Sequence, residues 1–315
     1  MRNQSVFVAG ARGLVGSAVV RKLESAGHQK LLTPTHAELD LTDQAEVRRF
    51  FKAEHPELVF LTAGKVGGIQ ANATHQADFL YENLMIAANV IRAAADFGTE
   101  KLLYLGSSCI YPREAPQPMR ESALLGGPLE KTNEGYAIAK IAGVKLCEMF
   151  RGQYGKRFIS AIPTNLYGPF DNFHPTDSHV IPGMMRRFHE AKIAGAREVV
   201  VWGTGKPRRE FLHVDDLAEA LYLLMEKYEG PETINVGAGE DITIAELAAM
   251  MKSATDLRAT VVFDPSKPDG TPRKLLDVSR IRELGWKPAI PLARGLAGTY
   301  RWATEHVFAS DLTLG

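Results

Sequence analysis

Short apolar runs and amphipathic stretches alternate along the first half of the chain. Unbroken runs of Val, Leu, Ile and Phe predict strands buried on both faces, and apolar positions spaced by three and four predict helices packed over them. The predicted order is strand 6–9, helix 13–26, strand 30–33, helix 44–54, strand 58–62, a long helix around 77–97, strand 101–106, helix 134–154 and strand 158–163. Such alternation implies a parallel sheet with helices on both faces, so the expected fold class is α/β: a Rossmann-like doubly wound sheet.

After residue 165 the texture changes. A stretch rich in Pro, His and Asn, residues 166–182, is too long for a tight connection, and loops of that length usually carry function. Helix 183–194, strand 198–202, helix 214–226, strand 233–236, helix 244–253 and a closing helix near 292–305 follow. This predicts one domain over 1–165 and a smaller, interleaved one over 166–315, with some segments of the second returning to the first. No internal repeat or low-complexity segment is present.

With 45% hydrophobic residues, the chain can bury a sizeable core. Its 37 basic and 37 acidic residues cancel, so no global field recruits nucleic acid or an anionic membrane, and an anionic ligand must be held locally. The start, Met1-Arg2-Asn3-Gln4-Ser5 before a short apolar run, lacks a signal-peptide pattern, and no apolar run approaches membrane-spanning length. A soluble, cytoplasmic protein is expected. Cys109 and Cys147 are too few for a disulfide framework and lack metal-ligand spacing, which fits a reducing compartment and no metal.

Candidate chemistry starts at Gly10-Ala11-Arg12-Gly13-Leu14-Val15-Gly16, directly after the first strand and opening a helix. Glycine there lets backbone approach a pyrophosphate, and the helix N-terminus offers free N–H groups and a positive dipole. A lone glycine turn explains one of these glycines, not three in register. NAD sites place an acid near the end of the second strand for the ribose 2′-hydroxyl. Here that region reads Thr33-Pro34-Thr35-His36 with no acid before Glu38, so a 2′-phosphate meets no repulsion and Arg12 and His36 can contact it. NADP(H) is the expected cofactor. Asp40-Leu41 is placed near the adenine edge, although Asp40 reads equally well as a cap for the helix at 44.

Tyr136 and Lys140 stand four residues apart on one helix face. A free phenol titrates near pH 10, and a nearby ammonium can stabilise its anion for acid-base work. Ser107-Ser108, just after the preceding strand, offers a hydroxyl to orient a substrate oxygen.

These blocks, with Pro163-Thr164-Asn165-Leu166-Tyr167-Gly168-Pro169 and Phe211-Leu212-His213-Val214-Asp215-Asp216, resemble the extended short-chain dehydrogenase/reductases. More narrowly, Leu105-Gly106-Ser107-Ser108-Cys109-Ile110-Tyr111-Pro112, Asp171-Asn172-Phe173-His174-Pro175, Ser178-His179-Val180-Ile181-Pro182 and Lys267-Pro268-Asp269-Gly270-Thr271-Pro272-Arg273-Lys274 resemble the GDP-L-fucose synthase family of 3,5-epimerase-4-reductases. The similarity spans nearly the whole chain, with His36 where parts of the family carry arginine. It implies a nucleotide-sugar substrate, with NADP(H) held by the glycine loop, His36, Asp40, Leu41, Leu105 to Ser108, Lys140, Pro163 to Leu166 and His179. It also implies Tyr136, Lys140 and Ser107 as the reductase constellation and Cys109 and His179 as the proton-transfer pair for epimerisation.

A C4 ketone acidifies the hydrogens at C3 and C5, so a base on one face and an acid on the other suit that chemistry. Taken alone, Cys109 reads as a small buried hydrophobe and His179 as a loop histidine; Cys147 reads as core. Arg187, Arg209 and Lys274 match the family's diphosphate-binding cations, with Trp202 covering sugar or base and Asp269 near the substrate. Apart from the resemblance, the arginines read as solvated charge and Trp202 as core. A homodimer through helices 77–97 and 134–154 is the family-like assembly. A sugar-nucleotide 4-epimerase, a simple 4-reductase and a non-catalytic dinucleotide sensor remain as alternatives.

Overall fold

A computed structural model describes residues 2–267 and 269–309. Pro268, inside the last motif block, lies outside them. The first half forms β1 (Val6–Ala9), α1 (Leu14–Ser25), β2 (Leu31–Leu32), α2 (Gln44–Glu54), β3 (Leu58–Leu61), α3 (Ile69–Thr74), α4 (Gln76–Asp96), β4 (Lys101–Leu105), α5 (Glu134–Tyr154) and β5 (Arg157–Pro163). The second forms β6 (Asn165–Tyr167), α6 (Val180–Ile193), β7 (Glu198–Trp202), β8 (Arg208–Arg209), β9 (Phe211–His213), α7 (Val214–Lys227), β10 (Ile234–Val236), β11 (Ile242–Thr243), α8 (Ile244–Thr255), β12 (Thr260–Asp264), β13 (Arg273–Lys274), α9 (Ser279–Glu283) and α10 (Leu292–His306).

Six strands make one sheet in the order β10-β5-β4-β3-β1-β2, and each neighbouring pair runs parallel. β1, β3 and β4 are buried along their whole length, which is why their sequences read as continuous apolar runs. The expected α/β, Rossmann-like sheet is therefore present. One hydrophobic cluster surrounds this sheet and includes Val214 and Leu217 of α7. A second joins Tyr167, Met184, Met185, Phe188, Val199, Val201, Leu247, Met251 and Leu296.

Departures from expectation are local. α6 begins at Val180 rather than at 183, because Pro182 falls in the first turn, where a missing N–H breaks no helical bond. The irregular stretch also loses its start, since Leu166 and Tyr167 belong to β6, paired in parallel with β9. α3, α9 and the strands β6, β8, β9, β11 and β13 were not anticipated. Elements of two to six residues are too short to show a period. β12, beside β7, mixes Thr and Asp with three apolar residues and shows no clean alternation.

Helix α5 lies unusually close to β4. A Cβ added at Gly143 would stand 2.3 Å from Cζ of Tyr104, so glycine alone fits. In an exposed helix interior, Gly→Ala stabilises by about 1 kcal/mol. Here we expect the opposite sign: Gly143→Ala should destabilise by roughly 1–3 kcal/mol through overpacking, measured as a fall in the free energy of urea unfolding. An unchanged or increased stability would show that α5 can stand further from the sheet.

Candidate active site

Two of the three glycines after β1 are required, each for its own reason. Gly10 has φ +84°, and a Cβ there would meet Cα of Ala63 at 2.8 Å. At Gly16 a Cβ would lie 2.0 Å from the Gly10 oxygen, so α1 can start this close to the turn only without a side chain. Gly13 has no such crowding: its nearest neighbour, again the Gly10 oxygen, is 3.5 Å away. Gly13 is the N-cap of α1; its N–H donates to the Gly10 carbonyl at 3.0 Å, and no side chain caps the first-turn N–H groups that follow it. That cradle fits a pyrophosphate. Leu14 and Val15 lie in the first turn of α1, with Val15 in the core.

Arg12 and His36 are both exposed, and Arg12 lies near enough to Glu38 to favour its ionised form. Glu38 is held below its ordinary pKa mainly by the Thr35 N–H, which donates to it at 2.7 Å. Asp40 does not cap α2. It accepts from Thr42 N–H (2.8 Å) and Thr42 hydroxyl (2.7 Å), while Asp43 is the cap, accepting from the N–H groups of Ala45 and Glu46. The carbonyl of Leu41 accepts from buried Asn89.

The strand and helix ends converge on one catalytic group. Ser107 follows β4; its Oγ accepts from Cys109 Sγ at 2.9 Å and lies near enough to the Tyr136 hydroxyl to favour its anion. Lys140, buried one turn beyond Tyr136, donates Nζ–H to the Leu105 carbonyl at 2.9 Å and sits 5.7 Å from the Tyr136 ring. Burial drives the Lys140 pKa down to about 8, with Cys109 opposing. Burial also raises the Tyr136 pKa well above the phenol value, with Ser107 opposing. Burial thus dominates the Tyr136 phenol, which stays protonated at neutral pH, ready to give a proton. Cys109 is likewise pushed up by burial, against the pull of Lys274, Ser107 and Lys140.

The loop after β3 links the segment before His179 to the neighbourhood of Lys140. Gly64 packs beside Lys140, a Cβ there lying 3.5 Å from Nζ, and Gly68 N–H donates to the Asp177 carbonyl at 2.9 Å. Four residues span at most about 14 Å, so the segment leading into His179 is that close to the Lys140 site. His179 is the N-cap of α6, with its ring open to water but walled by protein, and that poor solvation lowers its pKa.

Expected substrate-side residues also meet. Trp202, 59% exposed at the end of β7, is not core; Arg187 lies over its ring at 5.7 Å. Arg209 and Lys274 are register partners on β8 and β13, and Lys274 is near enough to Cys109 to influence it. Asp269 accepts from the Thr204 N–H (2.6 Å) and hydroxyl (2.7 Å), closing the turn after β7 and favouring the charge of Arg209. Arg186 and Arg208 are engaged elsewhere, with Phe173 and Glu190 and with Asp241 respectively.

Thr164 and Asn165, past Pro163 at the end of β5, both donate to the Glu210 carbonyl. The fully buried Glu210 carboxylate accepts from Gly239 N–H (2.6 Å) and Leu276 N–H (3.0 Å), tying three distant segments together. Glu210, Asn83 and Gly68 escaped the sequence reading. Asn83 accepts from Lys65 N–H and donates to the Lys65 and Phe79 carbonyls, fixing the loop after β3. Only the Gly67-Gly68 pair after a strand gave a signal that could have been used.

The sequence profile of the NAD dependent epimerase/dehydratase family matches residues 6–237. A rice protein (Oryza sativa subsp. japonica) named "Probable GDP-L-fucose synthase 1" is 59% identical over 306 residues, 97% of this chain and 93% of its own. The GDP-L-fucose synthase of Escherichia coli (strain K12) is 55% identical over 315 residues, 97% of this chain and 98% of its own. The solved structure of a GDP-L-fucose synthetase from Naegleria fowleri bound to NADP superposes with TM-score 0.89 at 28% identity, covering 100% of this chain and 97% of that one.

The depressed Lys140 sets a pH window. Its cation, which would stabilise the phenolate left when Tyr136 releases a proton, exists below about 8 and is lost above it. In a carbonyl reduction, kcat/KM should therefore fall about tenfold per pH unit beyond that point. A profile flat to pH 10 would remove the Lys140 charge from the chemistry.

Proposed function

The chain belongs to the NAD dependent epimerase/dehydratase family, and we propose that it converts GDP-4-keto-6-deoxy-D-mannose to GDP-L-fucose, epimerising C3 and C5 and then reducing C4. It is an NADP-dependent oxidoreductase with epimerase activity. The observation that carries this reading is Cys109 beside Ser107 near the Tyr136 hydroxyl, with the segment before His179 docked on the loop that reaches Lys140. A reductase alone has work for Ser107, Tyr136 and Lys140. Two further proton-transfer groups suit epimerisation.

The cofactor, when bound, supplies the hydride for C4; the glycine cradle at Gly10 to Gly16 fits its pyrophosphate, and Arg12 and His36 its 2′-phosphate. Arg187, Arg209 and Lys274 neutralise the substrate diphosphate, with Trp202 covering sugar or base. Ser107 donates to the C4 oxygen and so stabilises the enolate formed when a proton leaves C3 or C5. At neutral pH the depressed His179 is an unprotonated base and the raised Cys109 a protonated acid, the resting states that a two-sided proton exchange requires. Tyr136 then protonates the C4 oxyanion, and Lys140 holds the resulting phenolate.

On this reading residues 1–165 hold the dinucleotide and residues 166–315 the nucleotide sugar, although β10 completes the first sheet. A homodimer is supported by exposed Tyr81 on α4 and Ile138 and Met149 on α5, helices packed against each other. No helix among the described residues is long and apolar enough to cross a membrane. With Cys109 and Cys147 free, this supports a cytoplasmic enzyme.

NADPH should be used with a higher kcat/KM than NADH, since no acid stands between the end of β2 and Glu38; equal or better use of NADH would show that Arg12 and His36 do not read the 2′-phosphate.

In D₂O, product from GDP-4-keto-6-deoxy-D-mannose should carry solvent deuterium at C3 and C5, identified by NMR. Cys109→Ser replaces a thiol with an alcohol far harder to ionise, and should suppress exchange while NADPH oxidation continues. His179→Gln should do the same. Product without deuterium, or normal epimerisation by both variants, would leave only a C4 reductase.

A further inference from the structure

Gly68 opens α3 with φ −64° and ψ 177°, a backbone that any residue adopts, so its conformation does not require glycine. Contact does. A Cβ built at Gly68 would stand 2.7 Å from the Ser178 carbonyl oxygen, while its N–H donates to the neighbouring Asp177 carbonyl at 2.9 Å. The loop cannot easily retreat, because buried Asn72 donates to the carbonyls of both Gly67 (2.8 Å) and Gly68 (3.0 Å). From the other side, a Cβ at Gly183 would lie 2.6 Å from Ser178 Oγ, and Gly183 N–H donates to the His179 carbonyl at 3.0 Å. Residues 177–179 are thus wedged between two glycines, one on the β3–α3 loop and one in the first turn of α6.

We propose that Gly68 is a positioning residue for His179: the hydrogen bond to Asp177 and the absence of a Cβ against Ser178 set the depth at which the His179 ring enters the site. This rests on the reading of His179 as a proton-transfer group in epimerisation. Proton transfer needs the ring within hydrogen-bond reach of a ring carbon's proton. The same loop packs its other end, Gly64, against Lys140, so Gly68 references His179 to the reductase group itself. Misplacement by about 1 Å can cost roughly 10²-fold in such a step. Reduction at C4 is built on Ser107, Tyr136 and Lys140, so it depends less on that depth than proton exchange does.

The test uses the full-length enzyme with NADPH and GDP-4-keto-6-deoxy-D-mannose in D₂O, reading deuterium at C3 and C5, product stereochemistry and NADPH oxidation together. In Gly68→Ala, exchange at one or both carbons should drop by roughly 10²-fold relative to NADPH oxidation. The product should shift toward the 4-reduced sugar of unchanged C3 and C5 configuration. Gly183→Ala should act in the same direction from the other side, and adding Ser178→Ala, which removes the obstructing Oγ, should restore epimerisation. Wild-type partitioning in Gly68→Ala overturns the proposal. So does a proportional loss of exchange and oxidation in both glycine variants, with the Gly183→Ala loss not reversed by Ser178→Ala, since that is general damage. His179→Gln, run alongside, separates the two readings. If it exchanges normally, the role of His179 fails; if it loses exchange while Gly68→Ala keeps it, only the positioning role of Gly68 fails.

Discussion

The close approach of helix α5 to strand β4 is the constraint on which the active site depends. Gly143 lies flat against Tyr104, and one turn earlier on the same helix Lys140 reaches the Leu105 carbonyl at the end of that strand. Tyr136, one turn earlier again, then falls beside Ser107, the second residue past the strand. A helix standing further off would lose the Leu105 hydrogen bond and leave a buried ammonium without a partner, a costly state in low dielectric. Sheet, helix and catalytic group are therefore fixed by one packing distance.

Burial then decides protonation. The same poor solvation pushes Tyr136 and Cys109 up and Lys140 and His179 down, so every group is biased toward its neutral form. Neighbours trim this bias selectively: Lys274, Ser107 and Lys140 pull Cys109 back, and Ser107 pulls Tyr136 back. A site of mostly neutral acids and bases can move protons on both faces of a sugar without first stripping solvent from fixed charges.

The substrate side is assembled by short pairings over long separations. β8 and β13 place Arg209 and Lys274 side by side, β6 and β9 run together, and Glu210 links Gly239 and Leu276 to the backbone beside Thr164 and Asn165. Each pairing is two or three residues long, so buried polar contacts such as Glu210, not ladder length, hold these segments in place.

By itself the sequence determined the alternating half of the fold, because strands buried on both faces and amphipathic helices leave periodic marks that need no partner to be read. It also determined the glycine cradle and the Tyr136–Lys140 pair, since each lies within one local element whose geometry is fixed by spacing. Cys109, His179 and the cations came only through resemblance. Nothing in spacing says that the segment before residue 179 docks on the loop after β3, or that 209 stands beside 274. Those relations are set by contacts such as Gly68 to Asp177 and β8 to β13, which join residues far apart in the chain and exist only once the tertiary structure has formed. The protonation states were likewise beyond the sequence: Tyr136 and Lys140 are both driven toward their neutral forms, because the folded chain surrounds them and removes the water that would stabilise their charges.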